Sequence, residues 1–384
     1  MVKTAFKQLL VGLFLLFVWK FAWDYLDLNP EPPVRAVGDI WDLRTYYNNG
    51  KWFPTGSQPF VDVPSEYPQV ATYFFGWVHW FSRNAERTAT GRDIYFHTFS
   101  LFMAGLAYLN YLLVSNMLPA RKWLALFLFL PGPLYFTLYR FDALPAFLCL
   151  LALYLIRKQA WNGAAILLGI ATLTKWYAVL LIPPLMVHIW SVERKIPWKP
   201  LVSYLIACVL IVTPTLLAGG LGALTAPYQF HSGRGIEAAS LPGFLLSIAG
   251  GSLPVNGMVF VFLVLQALAS AVSFFFFVES AEQFENWSAI ILGCFVIFSR
   301  IFSPQWILWV LPFLLLCSRN AADFLLAAAY GVFTYIGFPI VYDLKPAILP
   351  VVSVISLLPL FFLVVRYAAR VEWRFAYSSI FRYR

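Results

Sequence analysis

The chain has 384 residues, 61% of them hydrophobic and only 12% charged. A soluble domain carries about 25% charge. A soluble fold is therefore excluded, and apolar runs near the roughly 20 residues needed to cross a bilayer recur from end to end. The net charge of +9 sits mostly in short loops and at the tail, a topology signal rather than a nucleic-acid surface.

In chain order, the first apolar run covers about Phe6 to Trp23. Asp24, Tyr25, Leu26 and Asp27 follow it where a small-residue cleavage site would be needed, so it reads as a retained first span. About twelve crossings (range 10–13) are expected, at 5–24, 95–117, 122–138, 142–157, 162–175, 176–190, 200–219, 255–278, 287–300, 305–318, 322–341 and 346–366. The shortest read as tilted or re-entrant. The expected fold class is an all-α polytopic membrane protein, with 1–366 as one integral-membrane domain and 367–384 as a basic-aromatic cytoplasmic tail on anionic lipid. Val70–Phe81 and Leu241–Ile248 read as short amphipathic helices at the interface. Cys149, Cys208, Cys294 and Cys317 fall inside apolar runs and read as packing residues.

With Lys3 and Lys7 inside, the basic loops at Arg121–Lys122, Arg157–Lys158, Arg194–Lys199 and Arg319 all fall on the cytoplasmic side. The other side then receives the 25–94 loop, Tyr139–Asp142, the 174–177 turn, the 220–254 loop, Ser299–Gln305 and Tyr342–Lys345. Two features run against this bias. The 25–94 loop holds Arg35, Arg44, Lys51, Arg83, Arg87 and Arg92, and the inner loop at Glu279–Glu285 is acidic.

Asp39 and Asp42 are spaced i, i+3, which puts them on one side of a helical turn. Glu66, Arg140, Asp142, Lys175, His231, Arg234, Glu237, Arg300, Ser303 and Gln305 arrive at the same surface. Phosphate calls for Arg or Lys, and a hydroxyl nucleophile calls for a carboxylate base. Plainer roles stand beside these. Asp42 caps a helix or pairs with Arg44, Asp39 is an N-cap, Glu66 is a turn residue, and Lys175 and Arg300 snorkel to headgroups. No metal is expected, although Asp39, Asp42 and Glu66 offer oxygen ligands.

Asp42–Leu43 followed by Tyr46–Tyr47, Gly56 with Pro59–Phe60, and Glu66–Tyr67–Pro68 form one ordered set. Phe141–Asp142 with Pro145, Lys175 with Pro183–Pro184, and Phe302–Ser303–Pro304–Gln305–Trp306 continue it, with the loop from Tyr228 to Ser240. This order resembles the GT-C superfamily of membrane glycosyltransferases, most nearly glycosyltransferase family 87, the polyprenol-phosphate-mannose-dependent mannosyltransferases. The resemblance implies inverting transfer of a sugar, by expectation mannose, from a polyprenyl-phosphate donor to a glycolipid or glycan hydroxyl. The reaction is expected at the extracytoplasmic face of a bacterial-type plasma membrane, with no cofactor required.

The resemblance further implies Asp42 as catalytic base, with Asp39 the neighbour able to substitute. Lys175, Arg234, Arg300 and Arg140 would neutralise the donor phosphate. Tyr46, Tyr47, Glu66, His231, Glu237, Ser303 and Gln305 would hold sugar or acceptor, and Trp41 and Trp306 would line the site. The competing class is a transporter or flippase of a lipid-linked saccharide. It predicts ionisable residues deep within spans and paired halves, whereas here they gather at predicted span ends.

Overall fold

The computed structural model describes residues 2–29, 33–82, 91–250, 255–272, 276 and 278–371. Arg83, Arg87 and the tail from residue 372 lie outside them. Among the described residues the chain is helical, with an isolated bridge between Pro59 and Val63. Helix α1 (Val2–Leu28) precedes a loop region carrying α2 (Trp41–Gly50), α3 (Trp52–Thr55) and α4 (Gln69–Ser82). Next come α5 (Gly91–Met117), a 3-10 segment (Lys122–Phe129), α6 (Pro131–Tyr139), α7 (Ala143–Arg157) and α8 (Trp161–Thr172). A second 3-10 segment (Trp176–Leu181) leads to α9 (Ile182–Glu193), α10 (Trp198–Ser232), α11 (Leu241–Ile248) and α12 (Val255–Ala271). The chain continues through α13 (Ala281–Phe298), α14 (Ile307–Cys317), α15 (Ala321–Tyr335), α16 (Tyr342–Leu344) and α17 (Leu349–Ala368).

Among the described residues, six helices are long and apolar enough to cross a membrane, or seven if α6 and α7, bent by 110°, make one span. Trp161–Thr172, Asn256–Ala269 and Pro304–Cys317 are shorter apolar helices. The protein is an all-α polytopic membrane protein. Its core forms around α14, in which every residue from Ile307 to Cys317 is buried. A helix apolar on all sides belongs inside a bundle.

Fewer helices qualify than the twelve expected spans, and two of the departures have a clear local cause. The run 122–138 is not one helix: it breaks ahead of Pro131, which opens α6 at the first helical position, the place where its missing N–H costs nothing. The 220–254 segment is not all loop, because α10 continues to Ser232. Gly219–Gly220 read as a helix end, but Gly220 absorbs a kink at φ 64° and the apolar Leu221–Phe230 carries the helix on. The segments 70–81 and 241–248 form α4 and α11. Ser240 caps α11, its Oγ accepting the Gly243 N–H at 3.1 Å.

Ion pairs gather the connections at two ends. At one end the acidic stretch Glu279–Glu285, expected as a loop, runs into the start of α13, which carries Glu282 and Glu285, and it is neutralised by its neighbours: Arg194–Glu279 is 3.1 Å, Arg319–Glu282 2.5 Å and Arg157–Glu285 2.6 Å. Buried Asp323 there receives Arg366 at 2.8 Å and Arg370 at 2.7 Å. At the other end the 33–68 region meets the 140–142 corner, the 231–240 loop and Asp343.

Helices α6 and α15 touch through glycine. A Cβ on Gly132 would sit 2.4 Å from the Gly331 carbonyl oxygen, whereas one on Gly331 would meet side chains, Leu130 at 2.9 Å and Pro133 at 3.6 Å. Backbone cannot yield as a side chain can, and overpacking costs about 1–3 kcal/mol. Thermal unfolding in detergent should therefore show Gly132→Ala well below wild type and Gly331→Ala only slightly below; equal shifts would contradict this contact.

Candidate active site

The site is built at the start of α2 and at the corner between α6 and α7. Arg140, 4% exposed, sits at that corner. Its Nη2 donates to Asp39 Oδ2 at 2.8 Å, and its Nε lies 2.8 Å from Asp42 Oδ2. Asp39 Oδ1 accepts the Trp41 N–H at 2.9 Å, an Asx-type contact that fixes where α2 begins. Asp42 thus pairs with Arg140 and not with Arg44. Its side chain stays 27% exposed. The Tyr46 hydroxyl lies 3.5 Å from Asp42 Oδ2, as expected for residues four apart on a helix. Neither contact engages Asp42 Oδ1.

Burial alone would raise the Asp39 carboxyl, but the Arg140 charge and hydrogen bond, the Trp41 N–H and Arg35 reverse this and hold it below the usual value. A depressed carboxyl stabilises the fold above the unfolded value, near ~3.9, and loses that contribution as pH falls through the lower folded value. Acid unfolding should therefore steepen below about pH 4 and be shallower in Asp39→Asn, as followed by tryptophan fluorescence. An unchanged acid profile would count against a charged Asp39.

Asp142 is fully buried. Its Oδ1 accepts the Trp309 indole N–H at 2.6 Å and lies 3.2 Å from Lys175 Nζ, while Oδ2 has no hydrogen-bond partner. The Lys175 ammonium stands over Phe141 (4.4 Å) and Trp309 (5.4 Å), cation–π distances in a desolvated setting. Trp309 stacks on Tyr177 at 4.2 Å and on Trp306 at 4.9 Å. In the sequence Asp142 belongs to the shared polar surface and to the Phe141–Asp142 motif without a specific role, and its place at the start of an apolar run marks it as a functional carboxylate.

Two loops form the remaining wall. The His231 Nε2–H donates to the Glu66 carbonyl at 2.9 Å. Arg300 donates to the carbonyls of His231 (3.3 Å) and Ser232 (3.1 Å), the open C-terminal carbonyls of α10. Glu237 ties the loops together: its N–H donates to the Arg300 carbonyl at 3.0 Å, its Oε2 accepts the Phe302 N–H at 3.1 Å, and it pairs with Arg234.

Two adjoining cavities open onto this framework. The first, about 440 Å3, is lined by Arg35, Asp39, Trp41, Arg140, Glu237 and Phe338 among others. The second, about 470 Å3, is more aromatic, with Glu66, Tyr67, Lys175, Trp176, His231 and Trp306 in its wall. Asp42, Arg234, Ser303 and Gln305 line both. Burial raises the Glu66 carboxyl above its usual value, its bond with Tyr67 and the charges of Arg234 and Lys175 working against that. Three expected site residues line neither cavity. Tyr46 is buried behind Asp42, Tyr47 lies against His79 and Tyr95 at 4.6 and 5.2 Å, and Arg300 is occupied in clamping α10.

Residues 136–229, about a quarter of the chain, match the sequence family described as Mannosyltransferase (PIG-M). The matched stretch contains Arg140, Asp142 and Lys175, and excludes Asp39 and Asp42. No curated protein matches the chain. The match does not single out glycosyltransferase family 87; it supports a multi-pass membrane glycosyltransferase of the GT-C mannosyltransferase type.

Proposed function

We propose that the protein transfers mannose from a polyprenyl-phosphate donor to an acceptor hydroxyl of a glycolipid or glycan, with inversion and with Asp42 as base. One observation carries the reading: Asp42 is the one carboxylate in the walls of both cavities, and its Oδ1 is left unengaged. The aromatic cavity suits the donor, since indole and phenol faces pack against a sugar and an isoprenoid, and Lys175 supplies charge for the phosphate. The charged cavity suits a hydroxyl-rich acceptor, with Ser353, Ser356 and Thr334 in its wall.

In this reading the acceptor oxygen attacks the anomeric carbon as its proton passes to Asp42. The bond from that carbon to the phosphate oxygen breaks, and its electron pair leaves with the phosphate. Lys175 and Arg234 offset the charge that develops there. Asp39 serves as a positioning residue, because it holds Arg140 and the first turn of α2. No cofactor is needed for this displacement. We read the cavity end as extracytoplasmic because Arg121, Arg157, Arg194 and Arg319 cluster at the other end.

The test is donor choice. Purified protein with a membrane-lipid acceptor pool is given radiolabelled mannose either on a polyprenyl phosphate or on a nucleotide. Label should enter the lipid or glycan product from the polyprenyl donor alone. Transfer from the nucleotide donor at an equal or higher rate would sink the proposal.

A further inference from the structure

At the end of the bundle opposite Asp42, a separate cavity of about 700 Å3 opens between the start of α1 and the segment from Pro119 to Leu126. Its polar wall is made by Lys7, Gln8, Ser115, Asn116 and Lys122. A narrower groove of about 310 Å3 continues from it, sharing Leu10, Val11 and Leu126 and adding Phe14 and Phe129. Leu10 and Phe14 are four apart on α1, so they form one apolar strip along the helix.

Three observations point to one kind of occupant. Among the described residues, no carboxylate lines the cavity or the groove. Lys7 and Lys122 are exposed and make no ion pair among the described residues, so their charges are left uncompensated at the mouth of the cavity. The Ser115 hydroxyl is buried without a hydrogen-bond partner, and a buried polar group left so costs free energy that a ligand can recover. A polar, cationic mouth joined to a wholly apolar groove has the chemistry of a phosphate carried on a hydrocarbon chain.

We propose that this is a binding site for one anionic phospholipid. The headgroup phosphate lies between Lys7 and Lys122, Ser115 and Asn116 hydrogen-bond the glycerol or headgroup oxygens, and one acyl chain runs along Leu10, Phe14, Leu126 and Phe129. A free phosphate satisfies the lysines and leaves the groove empty. A zwitterionic lipid fills the groove and leaves the two positive charges uncompensated. The site is independent of the sugar-transfer reading.

The experiment is native mass spectrometry of the delipidated protein in detergent, titrated separately with phosphatidylglycerol, phosphatidylcholine and inorganic phosphate. One phosphatidylglycerol per chain should be retained about 30-fold more tightly than phosphatidylcholine, the effect expected of two lysines at a membrane surface. Inorganic phosphate should not be retained. Lys7→Gln with Lys122→Gln should bring phosphatidylglycerol down to the phosphatidylcholine level. Leu126→Trp, which fills the groove without touching the charges, should weaken both lipids. Size-exclusion profiles confirm that each variant is folded. Equal retention of the two lipids by wild type, undiminished phosphatidylglycerol binding in the folded lysine variant, or retention of inorganic phosphate alone would each overturn the proposal.

Discussion

Asp42→Asn lowers sugar transfer by about 10²- to 10⁴-fold, the range in which a positioned general base contributes, and leaves the fold intact. The amide keeps the volume of the carboxylate and can still accept from Arg140 through its oxygen, but it cannot take a proton. Arg140 also retains Asp39 at 2.8 Å, so no buried guanidinium is stranded. Asp39→Asn tests the division of labour between the two aspartates. Asp39 is 3% exposed, with one oxygen on Trp41 and the other on Arg140, so its loss should act through the position of α2. Asp39→Asn should therefore keep more activity than Asp42→Asn and regain it at lower temperature, as read in initial rates at several temperatures. Full activity in Asp42→Asn with none in Asp39→Asn would reverse the assignment.

Arg140→Met has the largest effect on stability. Buried Asp39 then keeps only the Trp41 N–H and Arg35 at 3.9 Å, and breaking a buried ion pair from one side costs about 3–5 kcal/mol. The loss should appear as a large fall in the thermal midpoint in detergent. The double variant Arg140→Met with Asp39→Leu should recover much of it, because no unpaired charge remains. If the double variant is no more stable than the single one, the penalty does not come from Asp39.

The class of fold was legible because it depends on composition and on loops that carry their own signals. Ser240–Leu241–Pro242 announces a capped helix start, and α11 begins there. The acidic stretch at Glu279–Glu285 runs against the charge rule in the sequence, and the structure pairs it with three arginines. Those partners lie as far as 128 residues away in the chain, as with Arg157 and Glu285, and no local pattern reports them. The helix through Gly220 was hidden for a different reason: a glycine pair has the same sequence signature whether it ends a helix or bends one.

Within the site, Asp42, Lys175, Arg234, Ser303 and Gln305 line the cavities. Tyr46 and Tyr47 were treated alike, yet adjacent helical residues face different ways, and only Tyr46 is in register with Asp42. Arg140 and Arg300 looked like free phosphate ligands. Arg140 neutralises two carboxylates and Arg300 closes a helix end. Lys175 and Arg234 are paired too, with Asp142 and Glu237, so charge count alone does not report which cations the fold already uses.

The most direct measurement is the anomeric configuration of the product. Wild-type protein is supplied with polyprenyl-phosphate mannose of defined configuration, and the linkage formed is assigned by nuclear magnetic resonance and by linkage-specific mannosidases. A single displacement at the anomeric carbon, with Asp42 as base, predicts a product of opposite configuration and no sugar attached to the protein at any time. Retained configuration, or a trapped mannosyl–Asp42 ester, would contradict the account.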